Sequence, residues 1–207
     1  MKTLLFKTTT ILFFIATSMI VKAQDVTRIP ESEMKKKAIK FEFFSPLTGN
    51  LTLGYETYLK NFTSLEFKVG MIGAGLQPDI SPKETGVFIS GGPKFKLKPD
   101  YAVDGTYGTH VLRGGYIRPE ITVGTFKVTR EDFFTPSTDD HATFATLTIN
   151  YGKQYILADS FSLDWYFGLG YGYSTEDDLS YYYKNVIGTN SFPLVLNAGF
   201  TIGVLLK

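Results

Sequence analysis

The chain contains no cysteine, one tryptophan and two histidines in 207 residues. Without cysteine, neither a disulfide framework nor a lipidated N-terminal cysteine is available, and the fold must be held by other means. Two histidines leave His110 and His141 as the candidates for imidazole chemistry. Charge of one sign is also lacking. The 21 Lys and Arg nearly cancel the 20 Asp and Glu, for a net +1, so nucleic acid is not an expected partner. Beyond the N-terminus, no stretch is apolar for the roughly 20 residues that a transmembrane helix needs.

The N-terminal run from Ile11 to Val21 falls short of that length, and small Ala23 precedes Gln24. Residues 1–23 therefore read as a cleaved secretory signal peptide. Residues 24–37 carry a proline and a charge run without alternation, which reads as a flexible periplasmic lead-in. Residues 38–207 have the length of one domain.

What is abundant is aromatic and small: 18 Phe, 13 Tyr and 20 Gly. From Ala38 onward the dominant signal has period 2, which sends successive side chains to opposite faces of a strand. Phe161, Leu163, Trp165, Phe167, Leu169, Tyr171 and Tyr173 share one parity, whereas Ser162, Asp164, Tyr166, Gly168, Gly170 and Gly172 share the other. The last strand repeats this, with Phe192, Leu194, Leu196, Ala198, Phe200, Ile202, Val204 and Leu206 against Asn197, Gly199, Thr201 and Gly203. The same reading gives strands near 38–45, 50–59, 62–74, 85–97, 111–126 and 143–157. The expected fold is all-β: an eight-stranded antiparallel up-and-down transmembrane β-barrel. An even strand number returns the chain to its starting side, and closure leaves no open edge in lipid. Tight turns at Lys60-Asn61 and Ala158-Asp159-Ser160, with a longer connection near 98–110, mark the periplasmic end. The long segments 75–84, 127–142 and 175–191 mark the extracellular end, with 46–49 a short exception.

With the apolar parity facing lipid, the other parity collects Lys40, Glu42, Glu56, Glu66, Lys68, Lys94, Lys96, Arg118, Glu120 and Asp164. Five are basic and five acidic. An eight-stranded barrel is just wide enough to be filled by side chains, and unpaired buried charge is costly. A salt-bridged polar plug is therefore the expectation, ahead of an ion pathway or a catalytic carboxylate cluster.

Ala38-Ile39-Lys40-Phe41, Ser45-Pro46-Leu47, Leu51-Thr52-Leu53-Gly54-Tyr55-Glu56 and Gly115-Tyr116-Ile117-Arg118-Pro119-Glu120 resemble segments of the small outer-membrane barrels of Bacteroidota, many of them domains of unknown function. Gly168-Leu169-Gly170-Tyr171-Gly172 and Leu196 to Gly203 fit the same resemblance. The chain departs from many such barrels by ending Leu205-Leu206-Lys207 in place of an aromatic residue. The resemblance implies fold and location and no activity.

His141, with Ser137, Asp139 and Asp140 close by in the segment read as a long loop, supplies the residue types of a hydrolase triad. Adjacency in a loop does not align a triad, so these are weak catalytic candidates. His110 reads as an interfacial polar residue at the periplasmic rim. Glu176-Asp177-Asp178 lacks a calcium-loop spacing and reads as a solvated cluster, so no metal or cofactor is expected. Tyr181, Tyr182 and Tyr183 are candidates for a surface contact patch. Gly73-Ala74-Gly75 and Gly91-Gly92-Pro93 lack the Lys-Ser/Thr of a phosphate loop and read as strand bends.

The expected function is an integral outer-membrane barrel of structural or surface-interaction type, exposing its loops outside. Its expected partners are outer-membrane lipid, lipopolysaccharide and the barrel-assembly machinery. The alternatives are a lipid A-modifying outer-membrane enzyme and a soluble lipocalin-like carrier. The carrier would have to turn the apolar parity inward, and no tryptophan stands in its first strand.

Overall fold

A computed structural model describes residues 33–76, 83–97, 110–130, 138–175, 186–187 and 193–207. The strands are β1 (Lys37–Glu42), β2 (Asn50–Lys60), β3 (Thr63–Ile72), β4 (Lys83–Lys96), β5 (Gly114–Arg130), β6 (Thr138–Leu157), β7 (Phe161–Ser174), β8 (Val186–Ile187) and β9 (Leu194–Leu206). Each of β1 to β6 pairs antiparallel with the next, β7 pairs with β9, and β9 pairs with β1. The wall is thus a closed eight-stranded up-and-down barrel. Two-residue β8 is an appendage on β9 outside the closure. No helix among the described residues is long and apolar enough to cross a membrane.

Register fixes the shape. From Val204 on β9, the paired residues run through Ile39, Tyr55, Phe67, Gly91, Ile121, Leu147 and Tyr171, and return to β9 at Leu194, ten positions from the start. With strands about 4.8 Å apart and about 3.3 Å per residue, that stagger corresponds to a tilt of about 40° and a radius of about 8 Å. At this tilt, Phe161 to Tyr173 rise on the order of 30 Å along the axis, which matches a hydrocarbon core.

The apolar parity lies on the outside. Ile39, Leu53, Phe67, Val69, Val87, Ile89, Ile121, Leu147, Ile149, Phe167, Leu169 and Tyr171 are exposed around the whole circumference. The inward parity is polar at mid-height and apolar near both ends. One apolar cluster joins Ile72, Phe88, Phe126, Val128, Ala142 and Phe144. The other joins Ala38, Leu112 and Leu205, with Tyr58, Val111 and Ile156 against it. A carrier's apolar cavity is the reverse of this arrangement.

Three expectations of extent need correction. Segment 127–142 is mostly strand, because residues Lys127–Arg130 pair in register with Thr138–His141 and buried Val128 packs with Ala142. The β5–β6 hairpin therefore projects past the last β6–β7 pair, Phe144 with Ser174. The stretch 111–113 is not strand; β5 starts at Gly114, whose φ of 119° only glycine adopts readily. The end of the first expected strand becomes a 3-10 turn at Ser45–Thr48, where Pro46 suits the first helical turn and Gly49, at φ 84°, closes it.

Inward glycines make room for the large inner side chains. A Cβ on Gly70 would fall within the Phe88 ring, and one on Gly152 would strike Tyr116. A Cβ on Gly92 would overlap the Pro119 carbonyl, where the β4–β5 pairing skips from Gly91 to Phe95. On Gly54 it would find nothing nearer than 3.5 Å. Gly92→Ala is expected to cost about 1–3 kcal/mol in urea unfolding of the detergent-folded barrel, with Gly54→Ala within about 0.5 kcal/mol of the parent. Equal effects would show that the two sites are equally open.

Candidate functional site

Alternation places charged residues of β1, β2, β3, β4, β5 and β7 at one level of the interior. Lys40 lies 2.8 Å from Glu66 and 2.9 Å from Asp164, and it also pairs with Glu56. Lys94 lies 2.6 Å from Asp164 and 3.4 Å from Glu56, and it also meets Glu66. Arg118 bonds Glu66 and reaches Glu120 at 2.9 Å. Tyr116 donates to Asp164 at 2.7 Å, and Ser64 donates to Glu56 at 2.6 Å. The Lys94 ammonium sits 4.3 Å from the centre of the Tyr116 ring, a cation–π contact between two fully buried side chains.

Above this level, Lys68 donates to the Tyr166 hydroxyl at 2.8 Å, and that hydroxyl donates to Glu42. Asn197 bridges Glu120 and Asn150, each at 3.0 Å. A cavity of about 20 Å³ lies beside Lys68, Glu120 and Tyr166, room for about one water.

All ten charged residues read from parity lie inside the wall, eight buried and Glu42 and Lys96 partly so. Their five positive and five negative charges balance. Glu56, Glu66 and Asp164 bring carboxylate oxygens within 4.8 Å of one another, the grouping a cation would need. Lys40 and Lys94 already occupy that position with their ammonium groups. The arrangement can hold six strands rigidly together, and among the described residues its carboxylates are each paired with a cation.

The parity reading did not assign Tyr116, Asn150, Gln154 and Asn197 to this network. Their shared parity with the charges was the available signal. It also missed the plug formed by residues 110–113. Leu112 is fully buried, its carbonyl accepts from Lys96 at 2.6 Å, and its N–H donates to His110 Nδ1 at 3.1 Å. Nδ1 is thereby the acceptor and Nε2 carries the proton. Nε2 lies 3.0 Å from Asp159 of the β6–β7 turn, off the line of a hydrogen bond. Burial, the larger influence, holds the His110 pKa below its ordinary 6.5 against the pull of Asp159.

The hydrolase-type candidates are not brought together among the described residues. His141 is exposed on β6 opposite Lys127, not in a connecting loop, because the hairpin pairing extends through it. Asp139 lies on β6 opposite Thr129. Ser137, Glu176-Asp177-Asp178, Tyr181, Tyr182 and Tyr183 lie outside the described residues.

No family model and no curated protein matches the chain. Among solved structures, the N-terminal β-barrel domain of Pseudomonas aeruginosa OprF is similar, with a TM-score of 0.43 and 13% identity over 84% of this chain and 98% of that one.

Two outcomes follow from the core. Removing one charge, as in Asp164→Asn, leaves a buried ammonium underpaired and is expected to cost about 3–5 kcal/mol in urea unfolding. The neutral pair Lys94→Met with Asp164→Asn is expected to recover part of that loss; strict additivity would show that the two do not interact. For His110, a folded pKa below the unfolded value means its contribution is full above about pH 6.5 and fades as pH falls through that value. The melting temperature in detergent is expected to drop between about pH 7.5 and pH 5, and to drop less in His110→Gln. Equal drops would clear His110 of the effect.

Proposed function

We propose that the protein is an integral outer-membrane β-barrel of structural or surface-interaction type, of the kind found in Bacteroidota. In this reading residues 1–23 are a cleaved export signal and 24–37 a periplasmic lead-in. The observation that carries it is the inversion of the wall: apolar side chains around the entire outside and a charge-balanced ionic core within. In water, a wall of exposed Phe, Leu, Ile and Val of this extent would aggregate. In lipid it is the low-energy face, and closure satisfies the backbone that lipid cannot.

Tight turns and both ends of the barrel share one rim, which is the periplasmic end of such barrels. The projecting β5–β6 hairpin then stands outside the cell and is the natural contact surface for partners. Lipid and lipopolysaccharide contact the wall, and the barrel-assembly machinery inserts it.

The protein is expected to sediment with outer membranes and to change gel mobility between unboiled and boiled detergent samples. In planar bilayers it is expected to give no unitary conductance steps. An epitope placed between residues 131 and 137 is expected to be labelled on intact cells, and one appended after Lys207 only after permeabilisation. A soluble, unshifted protein would sink the membrane reading, and reversed labelling would invert the orientation.

A further inference from the structure

The rim that carries the tight turns also carries a cavity of about 500 Å³, which lies between the β2–β3 turn and the plug of residues 110–113. Lys36, Lys60, Lys96, His110 and Arg113 are among its lining residues, and among the described residues no carboxylate is. Lys96 is committed to Leu112 and Gln154, and His110 to the Leu112 N–H. The side chains of Lys60 and Arg113 have no acidic partner among the described residues, and Lys36 meets only the ring of Tyr58, at 5.8 Å.

The other wall of the cavity is apolar and faces outward. Leu59, Phe62 and Leu97 are 54%, 63% and 40% exposed, on the side that the proposed reading turns to lipid. Phe62 holds φ at 59° in the turn. That is the conformation a two-residue hairpin turn asks of both its central residues, and Asn61 beside it (φ 50°) and Ala158 and Asp159 in the β6–β7 turn adopt it too.

We infer that this rim cavity binds the headgroup of an anionic phospholipid of the periplasmic leaflet, with its acyl chains along Leu59, Phe62 and Leu97. Unpaired cations beside a low-dielectric wall concentrate anions, and the volume lies in the range of small-molecule sites. A zwitterionic headgroup brings no net charge to match the three cations. The inference rests on the membrane reading and on the orientation given above.

The test is native mass spectrometry of the detergent-purified full chain titrated with phosphatidylglycerol and, separately, phosphatidylcholine of the same chains. The parent is expected to retain one phosphatidylglycerol in preference to phosphatidylcholine. Lys60→Gln with Arg113→Gln is expected to lower that preference by roughly 30-fold, about fivefold per cation. Lys37→Gln with Lys207→Gln removes the same charge from the same rim outside the cavity and is expected to change it little. Equal losses in both double variants would replace the site with diffuse attraction and overturn the inference, as would no preference in the parent. Displacement by millimolar inorganic phosphate would mark a phosphate site instead of a lipid site. A gain of binding on deleting residues 24–32 would make that segment the occupant, and also overturn it. Gel mobility read on the same samples separates the two levels: a heat-shifted barrel without lipid preference refutes the site alone, whereas an unshifted protein refutes the membrane reading beneath it.

Discussion

Two lysines and three carboxylates share one small volume at the barrel axis. Lys40 and Lys94 each approach Glu56, Glu66 and Asp164, so every ammonium is divided among acids from different strands. No pair can be removed without stranding a third group. The cluster joins β1, β2, β3, β4 and β7, and Arg118 extends it to β5 through Glu66. These strands are far apart in sequence: Lys40 and Asp164 are separated by 124 residues. The interaction thus acts as a cross-brace of the cylinder, across which the backbone ladder provides no bonds.

The brace explains features of the wall that have no charge of their own. A radius of about 8 Å leaves too little space for long ionic side chains, tyrosines and Cβ atoms together. The inward positions near the tyrosines are accordingly glycine: Gly152 beneath Tyr116, and Gly199 beneath Tyr166 and Glu42. The apolar clusters at the two ends then close the charged level from both sides, around Phe88 and Phe144 at one and around Leu112 at the other. Excluding water strengthens each electrostatic contact inside, so the end clusters and the brace support one another.

Much of this was legible in the sequence, because a period of two is a property of single residues. Lys40, Glu66, Lys94 and Asp164 stand on the polar parity of their strands, and that alone places them inside. Partner choice was not legible, since it depends on the stagger of ten residues around the closed wall. Nor was the plug. Val111 and Leu112 look like the first residues of a strand until Gly114 turns the chain. The length of the β5–β6 hairpin was hidden for a different reason. Lys127, Thr129 and His141 are polar at outward positions, which reads as loop when strands are identified by an apolar outer face. There that criterion fails, and cross-strand pairing continues.

Why a membrane barrel should keep ionic groups inside is a question of register more than of stability. A buried ion pair is often no more stabilising than well-packed apolar side chains. Had the interior been apolar as well, however, a strand displaced by one residue would still present an apolar face to lipid, and the wall would tolerate the error. With charges inside, a one-residue slip turns every side chain of the strand to the opposite face. For β3 that would carry Glu66 and Lys68 to the apolar outer face and bring Phe67 and Val69 against the ammonium groups of Lys40 and Lys94. Both halves of the exchange are costly, so a single register survives. The same alternation lowers the overall hydrophobicity of each strand before the barrel closes, which limits aggregation of a chain whose edges are still unpaired. The ionic core therefore earns its place by excluding wrong walls, and its rigidity in the finished barrel is a consequence of the same pairing.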